Sequence, residues 1–256
     1  MHRFLKQFIY GFLYLSILAV IVGGVYYFYF IPEQSCFDNI KNQNEVETDC
    51  GGGCAACELK TLKLQSDAPQ VFSAGASRST ILIKIKNPSS NYELPSFDYK
   101  IGIVSKFGTP LLRLSGTSYV SPKEDKYLVI PGIDIDSRDI STVNFSVDNP
   151  LWQEVSGTSP KAIGSKSLKT TITSQNVQID GIFENNSPSQ LSLVQIGAIL
   201  FNKNGEISNA SATALEEVRA FSSRPFTVFF PKIIKNDSGL IDIDSEKSQI
   251  FYEIRK

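Results

Sequence analysis

Tyr99-Lys100-Ile101-Gly102-Ile103-Val104-Ser105-Lys106-Phe107-Gly108 and Ile196-Gly197-Ala198-Ile199-Leu200-Phe201-Asn202-Lys203-Asn204-Gly205 carry one pattern twice, 97 residues apart: an apolar run closed by a Lys-x-Gly turn. Apolar alternation bounded by turn residues predicts a strand leading into a tight connection. The match extends outward from both copies. Upstream, Ile81, Ile83 and Ile85 alternate with Leu82, Lys84 and Lys86, the signature of a half-buried strand, and run into Asn87-Pro88-Ser89-Ser90. Val177, Ile179 and Gly181 run likewise into Phe183-Glu184-Asn185-Asn186-Ser187-Pro188. Downstream, Phe226 to Pro231 answers Asp125 to Pro131, and Ile241-Asp242-Ile243-Asp244-Ser245 echoes Ile133-Asp134-Ile135-Asp136-Ser137. Each copy closes on an alternating strand, Val143 to Val147 and Ile250 to Ile254.

The repeat and its strands predict an all-β fold of two tandem immunoglobulin-like antiparallel β-sandwiches of about 90 residues, each with roughly seven short strands. They are expected at residues 59–157 and 165–256, joined by a Gly/Ser/Pro-rich linker from Gly157-Thr158-Ser159-Pro160 to Gly164-Ser165-Lys166. Ala212 to Ala220 is the one stretch outside the N-terminus with helical character.

The N-terminus reads differently. Phe8 to Ile31 is a run of 24 residues without a charge, held between Arg3 and Lys6 on one side and Glu33 on the other. About 20 apolar residues suffice for a helix to cross a bilayer core, and a signal-peptide core is shorter. The run predicts a retained transmembrane helix at 8–31. Cleavage near Val22-Gly23-Gly24 is the competing reading, although that site lacks a clean A-x-A pattern. The positive flank places residues 1–7 in the cytoplasm and the bulk outside, so the expected location is the cell membrane, single-pass, with the C-terminal domains extracytoplasmic. Residues 32–58 form a cysteine-rich stalk.

All four cysteines, Cys36, Cys50, Cys54 and Cys57, lie in that stalk. Outside the cytoplasm four clustered cysteines predict two local disulfides, with three possible connectivities. The stretch has few apolar residues and could not hold together by burial alone. Zinc ligation by four thiolates, a redox Cys54-Ala55-Ala56-Cys57 pair, and calcium held by oxygens of Asp38, Asn39, Asn42, Asn44, Glu45, Glu47 and Asp49 are the functional alternatives, although the acidic spacing does not match a calcium loop. The pattern Cys36-Phe37-Asp38-Asn39-Ile40-Lys41-Asn42, then Glu45, then Asp49-Cys50-Gly51-Gly52-Gly53-Cys54-Ala55-Ala56-Cys57 resembles a small cysteine module of bacterial surface proteins, which implies an exported, cell-surface setting.

A second resemblance lies in the C-terminal copy. Gly181-x-Phe183-x-Asn185-Asn186-Ser187, Val194-Gln195-Ile196, Ala198-Ile199-Leu200-Phe201-Asn202 and Gly205-Glu206-Ile207 are similar to the FxLYD-type domain, a relative of the late-embryogenesis-abundant type 2 sandwich. Ala198, Phe201 and Asn202 stand where the family has Phe, Tyr and Asp. The resemblance implies strand and turn chemistry and transfers no catalytic residue. The first copy shares it more faintly, through Lys86-Asn87-Pro88-Ser89 and Ile101 to Gly108.

Composition narrows function. The net charge is −1, with 25 basic and 26 acidic residues, so no excess of cations awaits phosphates and nucleic acid is not an expected partner. The single His, His2, precedes the apolar run, so histidine acid–base or metal chemistry has no place outside the membrane. No catalytic residue, cofactor or metal is expected. The candidate metal ligands are Asp134 with Asp136 and Asp242 with Asp244, projecting at i, i+2 from one strand face, with a solvated strand as the plainer reading. Phe221, Phe226, Phe229 and Phe230 form either an aromatic patch or core. Asn144, Asn185, Asn209 and Asn236 head Asn-x-Ser triplets. The sequence therefore points to a non-catalytic, membrane-anchored scaffold or binding protein that contacts the lipid bilayer and an envelope protein partner. A calcium- or metal-dependent binding module is the alternative.

Overall fold

Ile81, Ile83 and Ile85 are completely buried, as are Val177 and Phe183 one repeat later. Alternate residues of each strand thus close on an apolar interior. A computed structural model describes residues 2–30, 35–42, 44–155, 162–173, 176–231 and 242–255. Helix α1 spans His2–Phe30 and a single turn, α2, Glu58–Thr61. The strands are β1 (Gln65–Ser66), β2 (Gln70–Gly75), β3 (Arg78–Lys86), β4 (Tyr92–Ser105), β5 (Pro110–Val120), β6 (Asp125–Ile133), β7 (Ile140–Val147) and β8 (Gln153–Glu154). They continue with β9 (Ile163–Ile172), β10 (Val177–Asn185), β11 (Leu191–Phe201), β12 (Ile207–Val218), β13 (Ser222–Phe230) and β14 (Asp244–Arg255). The chain forms two compact units, residues 1–61 and 62–256.

In the second unit every strand pair is antiparallel. β3 lies between β6 on one edge and β1 with β2 on the other; β4 lies between β5 and β7, with β8 extending the β7 edge. Later in the chain β10 lies between β9 and β13, and β11 between β12 and β14. The spacing read from sequence returns in the pairing. Gly102 opposes Arg113 and Ile101 opposes Leu114; adding 97 to each number gives the pairs Ile199 with Ala210 and Ala198 with Ser211.

Three apolar layers separate the four sheets. The first lies between the β3 and β4 sheets, from Ile81, Ile83 and Ile85 to Tyr99, Ile101 and Ile103. The second lies between the β10 and β11 sheets, from Val177, Ile179 and Phe183 to Val194, Ile196 and Leu200. The third joins the halves: Leu82 and Val129, on the outer face of the β3 sheet, pack on Ile199 and Ala210 of the β11 sheet. This corrects the half-buried reading of β3, because Leu82 is 2% exposed and both faces of that strand are covered there. Gly197 belongs to the same close approach. A Cβ there would lie 2.1 Å from the Phe251 ring.

Two buried asparagines latch the strand ends. The Asn87 side chain accepts from Ser89 N at 3.0 Å and donates to Tyr92 O and Ser121 O at 2.7 and 3.0 Å. Asn185 accepts from Ser187 N at 3.1 Å and donates to Ser189 O and Arg219 O, both at 2.9 Å. A side-chain amide bonding its own chain two residues on mimics a backbone turn.

Two expectations fail locally. Ala212 to Val218 belongs to strand β12, where Leu191 and Leu193 to Gly197 pair with it and Leu215 and Val218 are buried. Tertiary pairing overrides the helix propensity of Ala, Leu and Glu. The expected linker falls partly at residues 156–161, outside the described residues. Gly164 to Lys166 already lie in β9, paired with Glu184 to Ile182.

In the first unit α1 carries, alone among the described residues, an apolar helical stretch long enough to cross a membrane, Phe4–Phe30, with none of its span buried. The cysteine segment is closed by two disulfides, Cys36–Cys54 and Cys50–Cys57. Gly52 adopts φ +62° at the turn between them, where a Cβ would meet Asn44 O at 2.2 Å.

Candidate functional site

A concavity of about 550 Å³ opens where β5 and β6 meet β14. Its wall is mainly apolar and aromatic, with Tyr119, Tyr127, Leu191, Ile250 and Tyr252 prominent and Ser121, Glu124 and Asp125 at the polar margin. A cavity of this size with an apolar lining and a few polar groups, at a junction between packed halves, is the usual form of a binding site. Four residues of β14, Ile250, Phe251, Tyr252 and Ile254, contribute from both faces of the strand, so the cavity follows its edge. That edge pairs with no strand among the described residues.

The junction is fixed by a buried ion pair. Lys126 Nζ lies 2.6 Å from Glu253 Oε2, with the two side chains 4% and 9% exposed. The same ammonium donates to Tyr119 O at 2.8 Å and sits 3.2 Å from the Tyr119 ring centroid. Charge, carbonyl and ring quadrupole thus share one cation. The Glu253 oxygens have no partner in hydrogen-bond geometry, so the 2.6 Å approach is an ion contact rather than an aligned hydrogen bond. A cavity of about 10 Å³ beside that carboxylate is also lined by Gln195, Tyr127 and Phe251. Gln195 Nε2 bridges the halves directly, donating to Val129 O at 2.7 Å.

Burial pushes the Tyr119 phenol up to about 12, with the Glu253 and Glu124 carboxylates adding to the effect and a backbone hydrogen bond at Ile254 opposing it. Burial also raises Tyr252, against a hydrogen bond with Ser165. Asp125 is held below its ordinary range by its hydrogen bond with Lys84, whose amine is raised in turn. These shifts move each group away from neutrality, so each keeps one protonation state there.

The four candidate aspartates each have a separate partner. Asp134 and Asp136 lie in the bend and turn after β6, not on a strand face. The strand ends at Ile133, and Ile135 N donates to Ile133 O to tighten the chain into a turn. Asp134 pairs with Arg78 at 2.7 Å and Asp136 with Arg138 at 2.8 Å. Asp242 precedes β14 and accepts from Lys203 N at 3.3 Å, whereas Asp244 opens that strand and pairs with Lys247 at 3.1 Å. Each carboxylate has a cation or backbone donor of its own.

The stalk acids are likewise occupied with the backbone. Asp49 accepts from Asp38 N and Asn39 N at 3.0 Å each, and Glu45 Oε2 accepts from Asn42 N and Asp49 N at 3.3 and 3.1 Å. Glu47, Cys50 and Cys57 cluster closely, but the two sulfurs are bonded to each other and offer no thiolate.

Of the aromatic cluster, Phe226 and Phe230 are core while Phe221 and Phe229 are exposed. Asn185 and Asn209 are buried, Asn144 is exposed on β7, and Asn236 lies outside the described residues. Sequence reading missed Lys126 and Glu253, because a charge in an alternating strand reads as solvated until a second sheet covers it.

No family model and no curated protein matches the chain. Among solved structures, red sea bream transglutaminase is similar over 74% of this chain and 32% of its own, at 12% identity and a TM-score of 0.23. The chain thus spans about a third of that enzyme's length. The N-terminal CBM22-1–CBM22-2 tandem domain of Paenibacillus barcinonensis Xyn10C is similar over 76% of this chain and 84% of its own, at 8% identity and a TM-score of 0.15. Likeness at these scores carries no argument about fold or function.

Proposed function

We propose that the protein is a single-pass, membrane-anchored, non-catalytic scaffold or binding protein that acts outside the cytoplasmic membrane by protein–protein contact, in envelope assembly or adhesion. In this reading α1 spans the bilayer with its N-terminus cytoplasmic, and the disulfide-closed module follows it outside. Two tandem immunoglobulin-like sandwiches come next, the second of the FxLYD type. The observation that carries it is the Phe4–Phe30 helix, whose apolar side chains are wholly uncovered by protein and call for lipid. The register shared at a spacing of 97 and the paired Asn87 and Asn185 latches support the duplication. The cavity along β14 supplies a contact surface.

The test is crosslinking in intact cells followed by purification through the protein, with externally added protease as the topology control. Protease should reach residues 62–256 from outside, and a protein partner should be recovered above an unlinked control. Recovery of none, with the β region protected from protease, overturns the reading.

A further inference from the structure

Gly102 stands in the middle of β4, a strand of 14 residues, where its backbone is not left-handed and an added Cβ would meet nothing within 4 Å. Neither conformation nor packing asks for glycine there, and glycine weakens a strand interior. A glycine inside a strand marks a bulge or a close approach from outside the sheet; the register of β4 shifts one residue on, between Ile103 and Val104, whereas Gly102 itself keeps regular pairing with Arg113 and Asn144, which leaves the close approach. Around it, on the outward face, Lys100, Arg113, Ser115, Asn144 and Ser146 complete a hollow of about 530 Å³. Arg113 and Asn144 oppose Gly102 directly, one from each neighbouring strand.

The same face of the second half is an interface. At the equivalent register stand Gly197, Ile199, Ala210 and Ala212, and the Ile199 and Ala210 side chains are covered by Leu82 and Val129. In the first half the face is exposed and the outward side chains lining the hollow, Lys100, Arg113, Ser115, Asn144 and Ser146, are polar, so an apolar surface does not fit it. Lys100 is paired with Asp148, and Asp98 lies on the same face beyond it. Arg113 has no ion pair among the described residues. The open charge at the hollow is therefore a guanidinium, whose fork takes a carboxylate through two parallel hydrogen bonds. No aromatic ring lines the hollow, which disfavours a sugar ring.

We infer that the outward face of β4, β5 and β7 docks an acidic segment of a partner protein, with one carboxylate seated over Gly102 against Arg113 and its flanks bonded by Asn144, Ser115 and Ser146. The inference rests on the protein–protein reading above and names the chemistry of the partner.

The test uses the full chain in nanodiscs and a fluorescent hexaglutamate peptide, with hexaglutamine as the neutral control. Hexaglutamate should bind at least tenfold more tightly than hexaglutamine and weaken as salt rises. R113Q should lose tenfold or more of that binding with an unchanged melting temperature, and G102L should lose as much with a melting temperature unchanged or raised, since the Gly102 side is open and glycine weakens a strand interior. K169Q, on β9 of the other half, should bind like the parent. No saturable binding up to millimolar peptide, or binding retained in R113Q or G102L, overturns the inference. Oligogalacturonate competing better than hexaglutamate overturns it in favour of an acidic glycan. If crosslinking recovers a partner while this test fails, the docking chemistry falls and the scaffold reading stands; failure of both removes both.

Discussion

Lys126 and Glu253 lie 127 positions apart in the chain, yet their charged ends meet at 2.6 Å in a site almost closed to solvent. Desolvation makes such a pair costly to break from one side and nearly neutral to replace whole. Lys126→Ala should therefore cost about 3–5 kcal/mol by stranding the Glu253 carboxylate. The double change K126M/E253L should recover most of that loss. Denaturant unfolding of the single and double variants measures both.

Leu82 separates an exposed strand face from a covered one. On a solvent face Leu82→Ala would change stability by less than about 0.5 kcal/mol. Packed on Ile199 and Ala210, it should cost about 2–4 kcal/mol. The same denaturant curves decide between the two.

Asn185 is completely buried and holds the Val218, Ser189 and Arg219 carbonyls and the Ser187 backbone amide. Replacement by Ala leaves those groups without partners and should destabilise by about 2–3 kcal/mol. Asn185→Asp keeps the acceptor but loses the amide donor, and should be no better tolerated. Amide exchange should rise first at Ser187, whose N–H is the one Asn185 holds.

Tyr119 sets an alkaline limit. Its phenol is raised to about 12 in the folded state against an ordinary value of 10.0, so the unfolded chain loses that proton first. The folded state keeps its full advantage below pH 10 and loses it as pH rises through about 12, by on the order of 2 kcal/mol. Tyr119→Phe should flatten stability across that window. An unchanged slope would show that the phenol is not the group responsible.

The stalk depends on its crosslinks. Cys36–Cys54 spans 18 positions and Cys50–Cys57 spans 7, in a segment with little apolar surface to bury. Loops of this size gain about 2–4 kcal/mol from closure. Reduction should make residues 35–57 protease-sensitive while amide protection in β3, β4, β10 and β11 persists. Protection lost everywhere at once would contradict this.

Much of the local structure was legible in the residues. Ile81, Ile83 and Ile85 announced β3, Val143 to Val147 announced β7, and the clustered cysteines announced disulfides. Ala212 to Val218 misled, since Ala, Leu and Glu favour helix only until a neighbouring strand takes their backbone groups. Asp134 and Asp136 misled too: alternation continued past Ile133, but the backbone turned away. At the site, the tyrosines and isoleucines of β14 were visible as a strand, whereas the cavity along its edge was not.

The apolar N-terminal helix, the mostly β character of the remainder, the cysteine crosslinking and the repeat spacing follow from residue order alone. Those properties reside in run length, period and local composition, which neighbours in the chain set. Which cysteines pair, which strand faces meet, that Leu82 and Val129 are covered and that Lys126 finds Glu253 follow from folding in three dimensions. Contacts between distant segments depend on how whole sheets stack, and period-2 alternation shows that a strand has two faces without saying whether water or another sheet lies against the second.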